Sequence, residues 1–301
     1  MNETAIPVRF VAGSRKLFAV HRRLHTLAFG LEDLVARRMP PCAGAGPDGL
    51  RVLSVSAPLR PELERRFPGY LVGGVQHYRR HYIDMTGTFE AYLARFSGKT
   101  RSTFKRKRRK LEEMAGGTLE LAEFRTPDEI GRFFEETLPL SRRTYQARLL
   151  DAGLPEGEAA MRTARALAGE DRLRAYLLRV QGHAIAYLYL PVEGATLKYA
   201  FLGYDPRYAH YSPGTVLQLE ALERLFAERR FRYFDFTEGD GAHKAQFGTD
   251  SIEACSLLLL RPSLANRLLL ASLNGFDGAT GWIKQALGGA AMVRVRRMLR
   301  L

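Results

Sequence analysis

Lys198-Tyr199-Ala200-Phe201-Leu202-Gly203-Tyr204, followed by Asp205-Pro206-Arg207-Tyr208-Ala209-His210-Tyr211-Ser212-Pro213-Gly214-Thr215, is the stretch on which the reading of this chain turns. The first seven residues are aromatic and alternate in the manner of a strand. The next eleven are polar and punctuated by Pro and Gly. Val216, Leu219, Leu222 and Phe226 then recur at helical spacing, and Phe231-Arg232-Tyr233-Phe234-Asp235-Phe236 reads as a second strand. It closes on the acidic, glycine-rich turn Thr237-Glu238-Gly239-Asp240-Gly241-Ala242-His243-Lys244. A strand that enters a helix through a Gly-containing turn aims backbone N–H groups at whatever occupies the helix N-terminus, an end that favours phosphate. A phosphorylated ligand is therefore expected at this turn.

Working outward, 301 residues suffice for one large domain or two small ones with a sizeable core. A net charge of +14 favours anionic partners: phosphate-rich ligands, nucleic acid, acidic polysaccharide or an anionic lipid surface. The bland reading is an Arg-rich composition without a specific polyanion. Cys42 and Cys255 are far apart and lack metal-ligand spacing, so neither a disulfide framework nor a zinc site is expected, and a reducing cytoplasm fits. No secretory leader is expected. The most apolar region, Leu257 to Leu273, is broken by Arg261, Pro262, Asn266 and Arg267, which argues against a membrane span.

Elsewhere, Lys16 to Val20, Arg51 to Ser56 and Tyr78 to Met85 read as strands, and Leu24 to Arg38 has helical apolar spacing. Thr88 caps a helix to Phe96, Ser97-Gly98 interrupts it, and Lys99 to Met114 is a strongly basic helix. Thr118 to Phe124 alternates as a strand, and Thr126-Pro127-Asp128-Glu129 is a capping box that opens a helix to about Gln146. A helix over Ala159 to Ala168 precedes three strands, Arg172 to Val180, Ala184 to Pro191 and Ala195 to Leu202. A last strand covers Leu257 to Leu260. The fold class is α/β of the mixed α+β kind, with a mostly antiparallel sheet flanked by helices.

Phe234-Asp235-Phe236-Thr237-x-Gly239-Asp240 with Lys244, the turn from Tyr204 through Pro213-Gly214-Thr215, and Tyr92-Leu93 with Lys99-Thr100-Arg101 and the basic helix together resemble the CelD-like acyltransferases of the GNAT superfamily, relatives of the FemAB peptidyltransferases. The resemblance covers most of residues 85 to 260. It implies two GNAT-like halves (residues 1–115 and 116–262, with a basic tail over 263–301), an acyl-CoA donor in the second half, and an acceptor from polysaccharide or cell-envelope biosynthesis. The chain departs from the family pattern at His243, where Tyr is expected, and at Glu238, where an aliphatic residue is expected.

On this reading Gly214 permits close backbone approach of the donor and Thr215 opens the helix. Arg207, His210 and Tyr211 flank the donor's phosphates, and the amides near Gly203 and Tyr204 polarise the thioester carbonyl. Tyr204 belongs to a set of tyrosines, with Tyr199, Tyr208 and Tyr211, one of which would protonate the leaving thiolate; the alternative is packing with the hydroxyl at the rim. Acyl transfer needs a base for the nucleophile's proton, and Asp240, Glu238 and Asp235 are the candidates. For Asp240 the competing reading is an ordinary turn residue. Lys244 and His243 would contact the acceptor, or Lys244 would simply pair with Asp240.

The run from Lys99 to Lys110 contains no acid, and Arg106 and Arg109 are its candidate acceptor contacts. Three readings stay open for it: a solvated face, a site for a phosphate-bearing acceptor, and nucleic-acid binding, for which specific recognition is not expected. No metal site is expected. The C-terminal segment sets Trp282, Leu287 and Met292 beside Arg294, Arg296, Arg297 and Arg300. It suits peripheral contact with an anionic membrane, against the alternative of a helix docked on the body. The expected function is transfer of an acyl group, acetyl in the expected case, from coenzyme A to an amine or hydroxyl of a sugar or envelope precursor. The alternatives are aminoacyl transfer from charged tRNA and a non-catalytic anionic-surface binder on the same scaffold.

Overall fold

The computed structural model describes residues 5–12, 15–42, 44–144 and 153–273. The basic segment around Trp282 lies outside the described residues. Two compact units emerge, Met1–Tyr78 with Ile252–Leu301, and Arg79–Ser251.

In the first unit, β1 (Ala5–Ala12) pairs antiparallel with β2 (Arg15–Ala28), which pairs parallel with β3 (Gly49–Ser56). A short helix α1 (Leu31–Val35) follows β2, and α2 (Arg60–Arg66) follows β3. β11 (Asp250–Leu260) runs antiparallel to β3, with Leu259 opposite Leu50. Leu27, Phe29, Leu50, Val52, Leu63 and Leu257 form its core. The helix expected over Leu24 to Arg38 is corrected here: residues 24–28 are strand, and only Leu31–Val35 is helical. Leu24 to Ala28 pair along β3 from Gly49 to Leu53, and that non-local ladder outweighs a helical spacing of apolar residues too short to sustain a helix.

The second unit contains the stretch that opened the reading. β4 (Leu71–Asp84) enters it, and α3 (Phe89–Ala94) and α4 (Gly98–Met114) follow, capped by Thr88 Oγ1, which accepts from Ala91 N at 3.2 Å, and Ser97 Oγ, which accepts from Thr100 N at 3.2 Å. β5 (Glu120–Phe124) leads into α5 (Pro127–Arg143) through the expected capping box, with Thr126 N–H donating to Glu129 Oε2 at 2.9 Å. Then come α6 (Glu158–Gly169), β6 (Leu173–Val180), β7 (His183–Glu193), β8 (Thr196–Lys198) and β9 (Phe201–Tyr204). A 3-10 turn (Pro206–Tyr211), α7 (Pro213–Ala227), β10 (Tyr233–Asp235) and α8 (Ala242–Phe247) complete it.

β5, β6, β7 and β8 are successive antiparallel neighbours, β10 lies parallel to β8, and β4 is antiparallel to β10 through Tyr82 to Asp84. Two-residue alternation sorts the side chains of the central strands to opposite faces. Tyr176 and Leu178 of β6 and Leu188 and Leu190 of β7 pack with α3, α4 and α7. Ala175 and Leu177 with Tyr187 and Tyr189 pack with α5 and α6. Both faces of β6 and β7 are thus covered, which is why these strands read as nearly continuous apolar runs. The third expected strand is two strands, because β8 pairs with the end of β7 while β9 pairs with its middle.

Candidate functional site

The break between β8 and β9 opens a fork. The parallel ladder from β8 to β10 ends with Lys198 opposite Asp235, and β9 then follows β7 alone. α7 begins beyond β9, and the acidic turn begins beyond β10. Asp205 N–H donates to the Ile185 carbonyl at 2.8 Å, and the register sets Gly203 opposite Tyr187 and Tyr204 opposite Ala186. In an antiparallel ladder inward and outward groups alternate. The Gly203 amide therefore faces β7 and is used by the ladder, whereas the Tyr204 amide faces away from it, on the fork side. Of the two amides expected to polarise a carbonyl, only that of Tyr204 is oriented for it.

The turn before α7 differs from a glycine-lined phosphate cradle. Gly214 is buried, and a Cβ there would lie 2.9 Å from Leu202 Cδ2 and 3.3 Å from Tyr204 Cδ1. The glycine serves close packing of the helix on β9, not the approach of a ligand to its backbone. Arg207 forks onto Asp205, with Nη2 donating to Oδ2 at 2.8 Å and Nε to Oδ1 at 3.1 Å. That pairing holds the Asp205 carboxyl below its usual range and spends much of the arginine's charge. The His210 ring lies 3.9 Å from that of Tyr211, and His210 is exposed. Thr215 sits half-buried in the first turn of α7, its N–H donating to the Ser212 carbonyl at 3.0 Å.

The acidic turn separates its candidates. Asp235 is fully buried, and Arg80 holds it through Nε–Oδ1 at 3.0 Å and Nη2–Oδ2 at 2.5 Å, with Thr237 N–H adding a bond at 2.8 Å to Oδ1. Its oxygens are already engaged and out of solvent, so it braces the end of β10 and is corrected as a proton acceptor. Asp240 is about half exposed, and its Oδ1 lies 3.1 Å from His81 Nε2. Glu238 is exposed, and its carbonyl accepts from Lys244 Nζ, whose pKa burial lowers. Lys244 thus meets the backbone of Glu238 first; Asp240 acts on it only as a weaker charge.

His243 occupies the fork side of α8. Its Nε2 lies 2.7 Å from Gln218 Oε1, and its ring sits 4.7 Å from Phe247 and 6.3 Å from both Tyr199 and Phe236. Burial, aided by the ammonium groups of Lys107 and Lys244, lowers the pKa of the ring, so it is neutral at pH 7. Burial raises the Tyr199 hydroxyl, which stays protonated and able to donate. Tyr204 is 39% exposed at the rim.

Beside this face of α7, a groove of about 220 Å³ runs between α3, α4 and α7. Phe89, Phe104 and Leu219 form an apolar floor, while Arg101, Lys105 and Arg108 line one wall against Glu220 and Glu223. Arg108 Nε meets Glu112 at 3.0 Å and Glu220 at 3.1 Å. Arg106 and Arg109 are exposed and do not line the groove, and Arg109 pairs with Glu113 at 3.4 Å.

Residues 98–245 match the family model described as "Acetyltransferase (GNAT) domain". The protein is a transferase, and that segment, just under half of the chain, resembles a GNAT domain. The segment runs from the first residue of α4 into α8, so it contains Tyr204, Gln218, Asp240 and His243, while Arg80 and His81 lie before it. No curated protein sequence matches the chain. Among solved structures, the C-terminal domain of a putative lysylphosphatidylglycerol synthetase from Agrobacterium fabrum is similar at 13% identity and a TM-score of 0.49, covering 74% of this chain and 72% of that one. FemX is similar at 11% identity and 0.49, over 70% and 72%. A GCN5-related N-acetyltransferase from Kribbella flavida is similar at 13% identity and 0.39, over 72% and 70%. The assignment rests on the domain match and not on these likenesses. Among the described residues there is no cluster able to hold a metal ion, and no helix long and apolar enough to cross a membrane.

Sequence reasoning passed over Gln218 and Arg80, and read Lys107 only as part of the basic run. Gln218 had a legible signal: with Ala221, Leu222 and Leu225 it forms a helical stripe, and it is the polar member of an otherwise apolar face. Arg80 had none, and nothing local pointed Lys107 toward His243, since only tertiary packing brings these cations near Asp235 and His243.

Proposed function

We propose that the fork is the acyl-transfer site, and that the protein moves an acyl group, acetyl in the simplest case, from coenzyme A to an amine or hydroxyl of a sugar or envelope precursor in the cytoplasm. The observation that carries this reading is the outward-facing Tyr204 amide at the point where β9 leaves β10. A fixed amide donor polarises a thioester carbonyl without reorganisation during the reaction. The acceptor would approach from the side of the acidic turn, where Asp240, His243 and Lys244 stand. The donor's phosphates would meet the first turn of α7, with Thr215 and the exposed His210 beside it. Acetyl-CoA binding tests the reading. Isothermal calorimetry should give heat, and Gly214→Asp should abolish it, because a side chain there collides with Leu202 and Tyr204 of β9 and displaces the first turn of α7, where the donor's phosphates would sit. Absence of heat with wild-type protein and several acyl-CoA compounds would end the acyl-CoA assignment.

A second reading, aminoacyl transfer from charged tRNA, is favoured by one feature: Lys105, Arg106 and Lys110 all stand exposed on α4. It predicts tRNA binding whose affinity falls steeply with salt. Binding that persists above physiological salt and is lost on charge reversal at Arg106 would replace the first reading with this one.

A further inference from the structure

Gln218 is fully buried on α7, and its Nε2 has no hydrogen-bond partner while its Oε1 lies 2.7 Å from His243 Nε2. An orphaned buried donor costs on the order of 1–3 kcal/mol. A glutamine kept in the apolar stripe of α7 at that cost is not explained by packing. Its carboxamide end meets the imidazole of His243 at the fork. With Oε1 as the acceptor, His243 Nε2 must carry the hydrogen, and the neutral ring then holds its lone pair at Nδ1. Among the described residues Nδ1 has no hydrogen bond, and His243 is half-buried and not sealed.

The other groups facing the ring favour its neutral form. Lys107 from α4 and Lys244 from α8 oppose a positive charge on it, and Phe247, Phe236 and Tyr199 pack around it. Of the nearby carboxylates, Asp235 is held by Arg80, Asp240 Oδ1 lies 3.1 Å from His81 Nε2, and Glu238 is exposed.

Resting on the acyl-transfer reading of the fork, we propose that His243 is the proton acceptor for the attacking group, and that Gln218 is the positioning residue that holds its tautomer. The acceptor's lone pair attacks the thioester carbonyl carbon, and its proton passes to His243 Nδ1. The tetrahedral centre collapses, the C–S bond breaks with its electron pair on sulfur, and the thiolate takes up the proton that His243 holds. The products are the acylated acceptor and free coenzyme A thiol, and His243 returns to its neutral state. This places the base on α8 and leaves Asp240 to orient the turn through His81.

Nitrogen-15 NMR of the full-length protein labelled at histidine reads the tautomer and the titration directly. Slow hydrolysis of acetyl-CoA, with water as surrogate nucleophile and thiol release as the readout, gives the pH profile. The expected result is an Nε2–H tautomer for His243, and an acidic limb of hydrolysis that coincides with the His243 titration below pH 6.5. His243→Gln should slow thiol release about 100-fold or more, in the range general-base catalysis supplies. Gln218→Glu keeps the acceptor oxygen, so it should preserve the tautomer and move the limb to higher pH. Gln218→Leu should let both tautomers appear and lower the rate with acetyl-CoA affinity unchanged. An Nδ1–H tautomer in the wild type, or a limb that ignores Gln218→Glu, overturns the proposal. If acetyl-CoA does not bind at all, the donor reading fails separately, and the tautomer with its response to Gln218→Leu decides the positioning claim.

Discussion

Gly203→Ala is the substitution that most directly tests how β9 is held. A Cβ at Gly203 would stand 2.4 Å from Tyr187 Cε1, 2.6 Å from Cζ and 2.7 Å from Oη. Ordinary carbon contacts lie at about 3.5–4.0 Å, so strand and ring must part by roughly 1 Å. The ring cannot simply swing aside: Tyr187 is 1% exposed, packs among Tyr189 and Phe133, and donates from Oη to Ser141 Oγ at 3.1 Å. Overpacking of this kind costs about 1–3 kcal/mol, and loss of the hydroxyl bond adds about 1 kcal/mol. The stiffer unfolded chain returns roughly 0.4–1 kcal/mol. A net loss of about 1–3 kcal/mol lowers the melting temperature by roughly 2–12 °C in a unit of this size. Urea unfolding and calorimetry measure the loss. Tyr187→Leu removes the colliding ring, so the double variant should show a coupling of at least about 1 kcal/mol relative to the sum of the singles. Additive singles, or a Gly203→Ala loss below about 0.5 kcal/mol, would refute the claim that the ring is what requires glycine there.

The remaining predictions concern charge and caps. Asp235→Asn should destabilise by about 3–5 kcal/mol, because it removes the buried carboxylate charge that the Arg80 guanidinium, 2% exposed, grips through two nitrogens; urea midpoints measure it. Arg207 holds the folded Asp205 carboxyl below its unfolded range, so this stability is complete above about pH 4 and is lost as pH falls through the folded value; Asp205→Asn should flatten that part of the stability–pH curve. Thr126→Ala should cost about 1 kcal/mol in thermal unfolding, since it deletes the oxygen that accepts from Glu129 N.

The local elements were largely legible in the sequence because their signals are local. The Thr126–Glu129 box, the Pro and Gly punctuation before Val216, and the alternation of β6 and β7 each depend on neighbours within a few residues. The mixed α/β class followed from the order of those elements. What escaped was decided by pairing across long separations. Leu24 to Ala28 became strand because β3 lies beside them, and the third strand divided because β8 and β9 meet different parts of β7. The same holds for the site. Asp235 reads as a candidate base until Arg80, 155 residues earlier, closes over it, and Gly214 reads as a ligand-facing glycine until Leu202 is found against it. His243 and Gln218 stand 25 residues apart on separate helices, and their contact exists only once α7 and α8 pack around the fork. Composition and spacing determine which residues can form helices, strands and turns. Which polar groups are spent on one another, and which remain available for chemistry, is settled only by the packing that brings distant atoms within hydrogen-bond reach.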